Sequence, residues 1–333
     1  MTELSTENAA ANGDSSTVNG QSQLADRIGL RLQHDGTAPM DEAQRTIQHD
    51  PPGTGDRAKQ RSAVVTVNEP QGSVLLPDLQ ALVRAREVLY FLTWRDVKVR
   101  YKQTAIGAVW AILQPLVAML IFTLVFSRLA KLPSEGIPYP IFAYCALVPW
   151  TFFSTALTQA SGSLILNERL ITRVYFPRLV IPLAAVCGVL IDLGLASVVL
   201  VAMMFVYGIT PSIGLLWVPL FVLIAAAAAI GVGALLSALN VRYRDVRYVI
   251  PLLVQLWIFI TPVAYSTTLV PGRWRWIYAL NPMVGVVEGF RWAFLGTGIS
   301  GRDLWISVLS AMLILFAGLV VFGRMEDTFA DEI

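Results

Sequence analysis

The chain has 333 residues and a net charge of +2, but its charged side chains are unevenly placed: 25 fall in residues 1–105, leaving 23 for the remaining 228. A soluble domain carries roughly one charged residue in four, so residues 106–333 cannot present an ordinary wetted surface and belong in a bilayer. With no basic stripe, nucleic acid is excluded as a partner.

The two cysteines, Cys145 and Cys187, sit inside apolar runs and imply no disulfide framework. Both histidines, His34 and His49, lie in the polar N-terminal stretch. A metal site or histidine relay inside the membrane is therefore not expected.

In chain order, residues 1–75 are rich in Ser, Thr, Asn, Gln, Asp, Gly and Ala. Such a composition cannot bury enough apolar area to offset chain entropy, which predicts a disordered cytoplasmic tail. Residues 76–105 begin with Pro77 and Asp78, suited to a helix start. There Arg95, Lys98 and Lys102 share one helical face, and Trp94, Val97, Tyr101 and Thr104 lie about a third of a turn away. This pattern predicts an amphipathic helix at the cytoplasmic headgroup layer.

Residues 106–323 hold six apolar runs, each close to the ~20 residues that cross ~30 Å of hydrocarbon. They extend over about 106–126, 139–164, 179–207, 215–239, 249–268 and 304–322. The fold class is therefore all-α, a polytopic membrane protein with six transmembrane helices, followed by a short tail at 324–333. Thirteen Arg and Lys flank one side of these spans and six the other, so both termini are placed in the cytoplasm by the positive-inside rule. The longest exterior segment, residues 265–302, carries Trp274, Trp276, Tyr278, Phe290, Trp292 and Phe294, which predicts short helices folding back into the outer interface.

Between spans two and three, residues 167–178 predict one short helix capped by Asn167 and stopped by Pro177. Charges beside exposed aromatics there suit a docking surface for a soluble partner. Asp192 is the lone acid deep in a span, and an interhelical hydrogen bond is its expected role, ahead of proton coupling.

The series Trp94–Thr104, Ile106-Gly107, Trp110, Gln114-Pro115, Leu147–Trp150, Phe152-Phe153, Leu170-Ile171, Phe176-Pro177, Asn240–Tyr248, Thr261–Val263, Asn281-Pro282 and Phe290-Arg291 resembles the ABC type-2 export permeases of polysaccharides and polyol phosphates. The ordered series covers about residues 84–323, and the N-terminal tail falls outside it. The resemblance implies a permease that is not itself an enzyme and binds no cofactor. It implies a homodimer in the inner membrane with two copies of an ABC ATPase subunit, which hold ATP and Mg. The cargo it implies is a lipid-linked glycan such as an O-antigen, lipopolysaccharide, capsule or teichoic acid precursor. A drug or small-lipid exporter permease is the alternative, followed by a membrane-embedded glycan transferase, for which the acid and histidine constellation is missing.

The resemblance also assigns site residues. ATPase coupling falls to Asn167, Glu168, Arg169, Ile171, Arg173, Tyr175, Phe176 and Pro177. The interface helix and a second cytoplasmic contact contribute Arg95, Asp96, Arg100, Tyr101, Arg244 and Asp245. Trp110, Tyr144, Trp150, Phe152 and Phe153 are the channel aromatics, since sugar rings present flat C–H faces to aromatic rings. The exterior gate holds Trp274, Trp276, Glu288 and Arg291, with Glu288 and Arg291 spaced to pair on one helix face.

Overall fold

The computed structural model describes residues 79–102, 107–172, 176–243, 245–326 and Phe329. The predicted tail over 1–75 and most of the C-terminal tail lie outside these residues. The described residues are helical, with no strand among them.

Two consecutive helices, α1 (Leu79–Arg84) and α2 (Arg86–Lys102), precede the first long apolar helix. That helix is α3 (Gly107–Phe122), continued by a π-helical segment at Thr123–Leu129. Then follow α4 (Tyr139–Leu166), a single turn α5 (Glu168–Ile171), α6 (Val180–Val206), and a 3₁₀ turn (Ile213–Trp217) running into α7 (Val218–Arg242). The second half comprises α8 (Val246–Ile260), α9 (Arg275–Tyr278), α10 (Pro282–Leu295) and α11 (Gly301–Met325).

Among the described residues, five helical stretches are long and apolar enough to cross a membrane: 109–129, 139–166, 180–206, 213–242 and 301–325. The fifth predicted span, about 249–268, is present as a shorter apolar helix, α8. Helix α8 has 15 residues, about 22 Å at 1.5 Å per residue, shorter than the other spans. Its end is set by Pro262: the residue before a proline is pushed out of the α region, and Thr261 is extended at φ −102°, ψ 140°. Apolar residues continue through Val263 and Ala264, so hydropathy does not mark the stop.

Beyond that break, the chain folds back into the bundle. Every residue of α10 from Pro282 to Phe294 is buried except Trp292, and the helix packs on α4, α7 and α11. The expectation of short helices in this segment is met by a re-entrant helix in the bundle interior.

Between lipid-solvated helices, association rests on close packing, and small residues permit it. A Cβ on Gly318 of α11 would sit 2.0 Å from the carbonyl oxygen of Gly231 on α7, and one on Gly233 would meet Ala160 of α4 at 2.7 Å. Helix α4 is the hub: it packs on α6, α7 and α10, and most of its length is buried. Asn240 of α7 adds a polar tie by donating to the Ser161 carbonyl at 3.1 Å.

The interface helix does not lie apart from the bundle. Ala85 and Leu92 join Leu164, Ile171, Phe176, Val180 and Phe322 in one apolar cluster, while Tyr90, Phe91 and Trp94 stay exposed. The predicted aromatic face is thus divided, with Val97 buried against the bundle and Trp94 turned outward.

Candidate functional site

A cavity of about 690 Å³ lies between α3, α4 and α6, at the end of the bundle that carries the interface helix. Its wall from α4 includes a polar stripe: Thr151, Thr155 and Gln159 stand at i, i+4 and i+8 on one face of the helix. Helix α3 contributes Trp110, Ala111 and Gln114, and α6 contributes Val189, Asp192, Leu193 and Ala196. Pro115 has no N–H for the Ala111 carbonyl four residues earlier, so that acceptor loses its helical donor at the cavity wall.

Arg100 closes one end. Its guanidinium pairs with Asp192 and also donates to the Gln159 amide oxygen at 2.5 Å. Tyr101 donates to the other Asp192 oxygen. Asp192 therefore satisfies both oxygens with donors from the interface helix, as the cost of an isolated carboxylate in hydrocarbon requires. Burial, followed by the bond to Asp192 and that carboxylate's charge, raises the Tyr101 hydroxyl above its ordinary pKa, so it remains a donor. Asp192 stands out in the sequence but its partners do not, because the two sides of the pair are 91 and 92 residues apart.

The predicted channel aromatics divide. Trp110 and Phe152 line the cavity. Tyr144, Trp150 and Phe153 are buried in the core of the chain. Tyr144 donates to the Ala196 carbonyl, and Phe153 packs edge-on against Trp257 with centroids 5.1 Å apart. Their positions on α4 point toward neighbouring helices, and aromatic identity alone does not distinguish core from cavity.

The coupling loop is also redrawn. Among the described residues of this loop Glu168–Ile171 form a helical turn, and Arg173 and Tyr175 lie outside the described residues. Glu168 and Arg169 are exposed, but Ile171 and Phe176 are buried in the cluster beneath the interface helix, and Pro177 is half-buried. Phe176 is thus no exposed docking aromatic. Asn167 stands at the start of the turn without a side-chain cap; its amide nitrogen donates to the Ser163 carbonyl and its amide oxygen accepts from Arg95 at 2.7 Å. Arg95 also pairs with Asp96 at 2.8 Å, so this loop is tied to the interface helix through Asn167.

At the second cytoplasmic contact, Arg244 lies outside the described residues, and Asp245 is exposed and in no ion pair among them. Arg247 lies over the Tyr248 ring at 4.7 Å instead of pairing with Asp245.

The far end of the bundle carries the predicted gate. Trp274 and Trp276 are exposed there. Glu288 and Arg291 are both buried and do not form an ion pair, a correction with a clear cause. Arg291 gives its guanidinium to the carbonyls of Val263 (2.9 Å), Tyr265 (3.2 Å) and Phe142 (3.5 Å) and stacks over the Phe142 ring at 3.6 Å. Through Val263 and Tyr265 it satisfies backbone that the Pro262 break leaves outside any helix, which irregular chain at membrane depth demands. Asn281 completes the bracing: it caps α10 through Met283 N–H at 3.1 Å, accepts from Trp257 at 3.1 Å and donates to Thr261 at 3.0 Å. Nearby, burial and then its bond to Tyr265 raise the Tyr278 hydroxyl well above its ordinary pKa.

Residues 87–295 match the ABC-2 type transporter family. The chain belongs to that family. The matched stretch begins in the interface helix and ends with the re-entrant helix, so it takes in the cavity, the coupling loop and the Arg291 brace of this ABC-2 transporter. It is 29% identical over 246 residues to the O-antigen export system permease protein RfbA of Klebsiella pneumoniae, covering 74% of this chain and 94% of that protein. It is 28% identical over 259 residues to the RfbA permease of Myxococcus xanthus (77% and 98%). With the polysialic acid transport protein KpsM of Escherichia coli it shares 26% over 243 residues (70% and 91%). As an ABC-2 transporter with several membrane-crossing helices, it is a multi-pass membrane protein and a permease subunit.

Proposed function

We propose that this chain is the permease of an ABC exporter that moves a lipid-linked polysaccharide from the cytoplasm to the outer face of the inner membrane. The observation that carries this reading is similarity over 70–77% of this chain to permeases named for O-antigen export and polysialic acid transport, combined with a bundle that holds a cavity lined by Trp110, Phe152 and several polar side chains. Two copies of the chain form the pathway, and two copies of a separate ATPase bind and hydrolyse ATP with Mg. The chain supplies no catalytic group; it passes the motion of the ATPase to the spans.

The loop from Asn167 to Pro177 meets the ATPase through the exposed side chains of Glu168 and Arg169. Motion there reaches the bundle by two routes: the Arg95 to Asn167 bond and the apolar packing of Ile171 and Phe176 under the interface helix. The arginine and lysine bias supports cytoplasmic termini.

The test is deletion of the chain in its native host with surface glycan measured by antibody or electrophoresis, together with purification of the tagged complex. Loss of surface polysaccharide with intracellular accumulation of the lipid-linked precursor, and an ATPase that copurifies and is stimulated by it, is the expected result. Unchanged surface glycan, or stimulation by drugs and phospholipid alone, overturns the reading in favour of a drug or small-lipid exporter.

A further inference from the structure

We infer that the cavity between α3, α4 and α6 is a binding site for an uncharged glycan segment within a single protomer, and that it selects against anionic sugars. Its volume of about 690 Å³ falls in the range of small-molecule sites, about 300–1,000 Å³.

The lining chemistry narrows the occupant by elimination. Arg100 and Asp192 neutralise each other, and Asp192 already accepts from Tyr101 as well. An anion therefore meets a guanidinium already committed to a carboxylate, and a cation meets a carboxylate with both oxygens engaged. A purely apolar ligand would leave the Thr151 and Thr155 hydroxyls, the Gln159 amide nitrogen and the Ala111 carbonyl, all half-buried, without a partner, which costs free energy. An uncharged ligand carrying many hydroxyls satisfies all of them, since amides and hydroxyls both donate and accept. Trp110 and Phe152 supply the apolar faces on which the C–H side of a sugar ring stacks.

This inference rests on the export reading and deepens it by giving the substrate a site and a charge preference. The test uses the full chain in lipid nanodiscs with Cys145→Ala and Cys187→Ala, carrying Thr155→Cys as a reporter in the cavity wall. Its labelling by a small maleimide is timed with millimolar maltotetraose or tetragalacturonate. Maltotetraose is expected to slow labelling and tetragalacturonate to leave it unchanged. Removing one stacking ring with Trp110→Ala should weaken the protection about five- to tenfold. If Thr155→Cys does not fold, Thr151→Cys on the same face is the reporter.

No protection by maltotetraose, or equal protection by the anionic sugar, overturns the inference. Its failure is distinguishable from failure of the export reading: a deletion strain that loses surface glycan while maltotetraose gives no protection sinks only the cavity assignment. A deletion strain that keeps its glycan sinks the export reading whatever the labelling shows.

Discussion

Asp192→Asn removes an acid that Arg100 pairs with, and its effect on the fold can be worked from the contact. At an effective dielectric of about 20, two unit charges at 4 Å attract by about 4 kcal/mol. The pair is not fully buried: Arg100 is 26% and Asp192 19% exposed, so solvent screens part of that attraction. Breaking a fully buried pair costs ~3–5 kcal/mol; with this exposure the expected loss for Asp192→Asn is about 1–3 kcal/mol. The Asn side chain can still accept from Tyr101, which holds the loss toward the lower end.

Arg100→Gln should cost a similar amount by leaving the carboxylate with one donor, and the double variant should recover part of it. The assay is unfolding of the purified permease by denaturant titration in mixed micelles, read as a double-mutant cycle, with protease sensitivity of the interface helix measured in parallel. A coupling energy of at least about 1 kcal/mol is expected, as neighbours in one network show, and the single variants should expose the interface helix to cleavage before the bundle opens. Additive single effects within about 0.5 kcal/mol, with unchanged protease sensitivity, would refute the claim that this pair fastens the interface helix to the third span.

Other outcomes follow from the same geometry. Gly318→Ala places a methyl 2.0 Å from the Gly231 carbonyl oxygen, so α7 and α11 must separate; a loss of about 1–3 kcal/mol is expected, while Gly194→Ala, with open space around it, should be neutral by the same titration. Arg291→Met, similar in length but without donors, should strip the Val263 and Tyr265 carbonyls of their partner at about 1–3 kcal/mol each at most and abolish export with the ATPase still bound. Glu168→Ala should lower ATP-driven export without changing thermal stability, and Phe176→Ala should lower both, because one side chain is exposed and the other buried; equal stability of the two variants would contradict this division. Single cysteines at Ser134 and Ser300 should react with an impermeant thiol reagent from outside and one at Thr172 should not, in a background lacking Cys145 and Cys187; outside labelling of Thr172 would reverse the orientation.

The spans were legible because a bilayer imposes a simple requirement of length and apolarity, and every apolar run but the one at α8 matches a long helix to within a few residues at each end. The cavity stripe was legible in principle as well: Thr151, Thr155 and Gln159 repeat every four residues in an apolar helix, a signal that an aromatic search passes over. What hydropathy cannot register is where a buried side chain points. Phe176 and Trp110 are both large aromatics near the same end of the bundle, yet one is enclosed by the interface helix and the other faces the cavity.

Charge near a membrane carries the same ambiguity, and Arg291 shows why. In sequence it belongs to an aromatic exterior loop and counts toward the exterior charge. In the fold it is buried, and its partners are carbonyls set free by a proline 29 residues earlier. The two features explain each other: Pro262 ends α8 early, the chain that folds back exposes polar backbone at depth, and a guanidinium with five donors is the side chain that can serve several such carbonyls at once. Removing Arg291 from the exterior tally leaves the interior excess of basic residues larger, so cytoplasmic termini are favoured more strongly once its burial is counted. The partners of these two arginines also separate what each one does. Arg100 meets a carboxylate and holds an element in place, whereas Arg291 meets only dipoles and holds a break open.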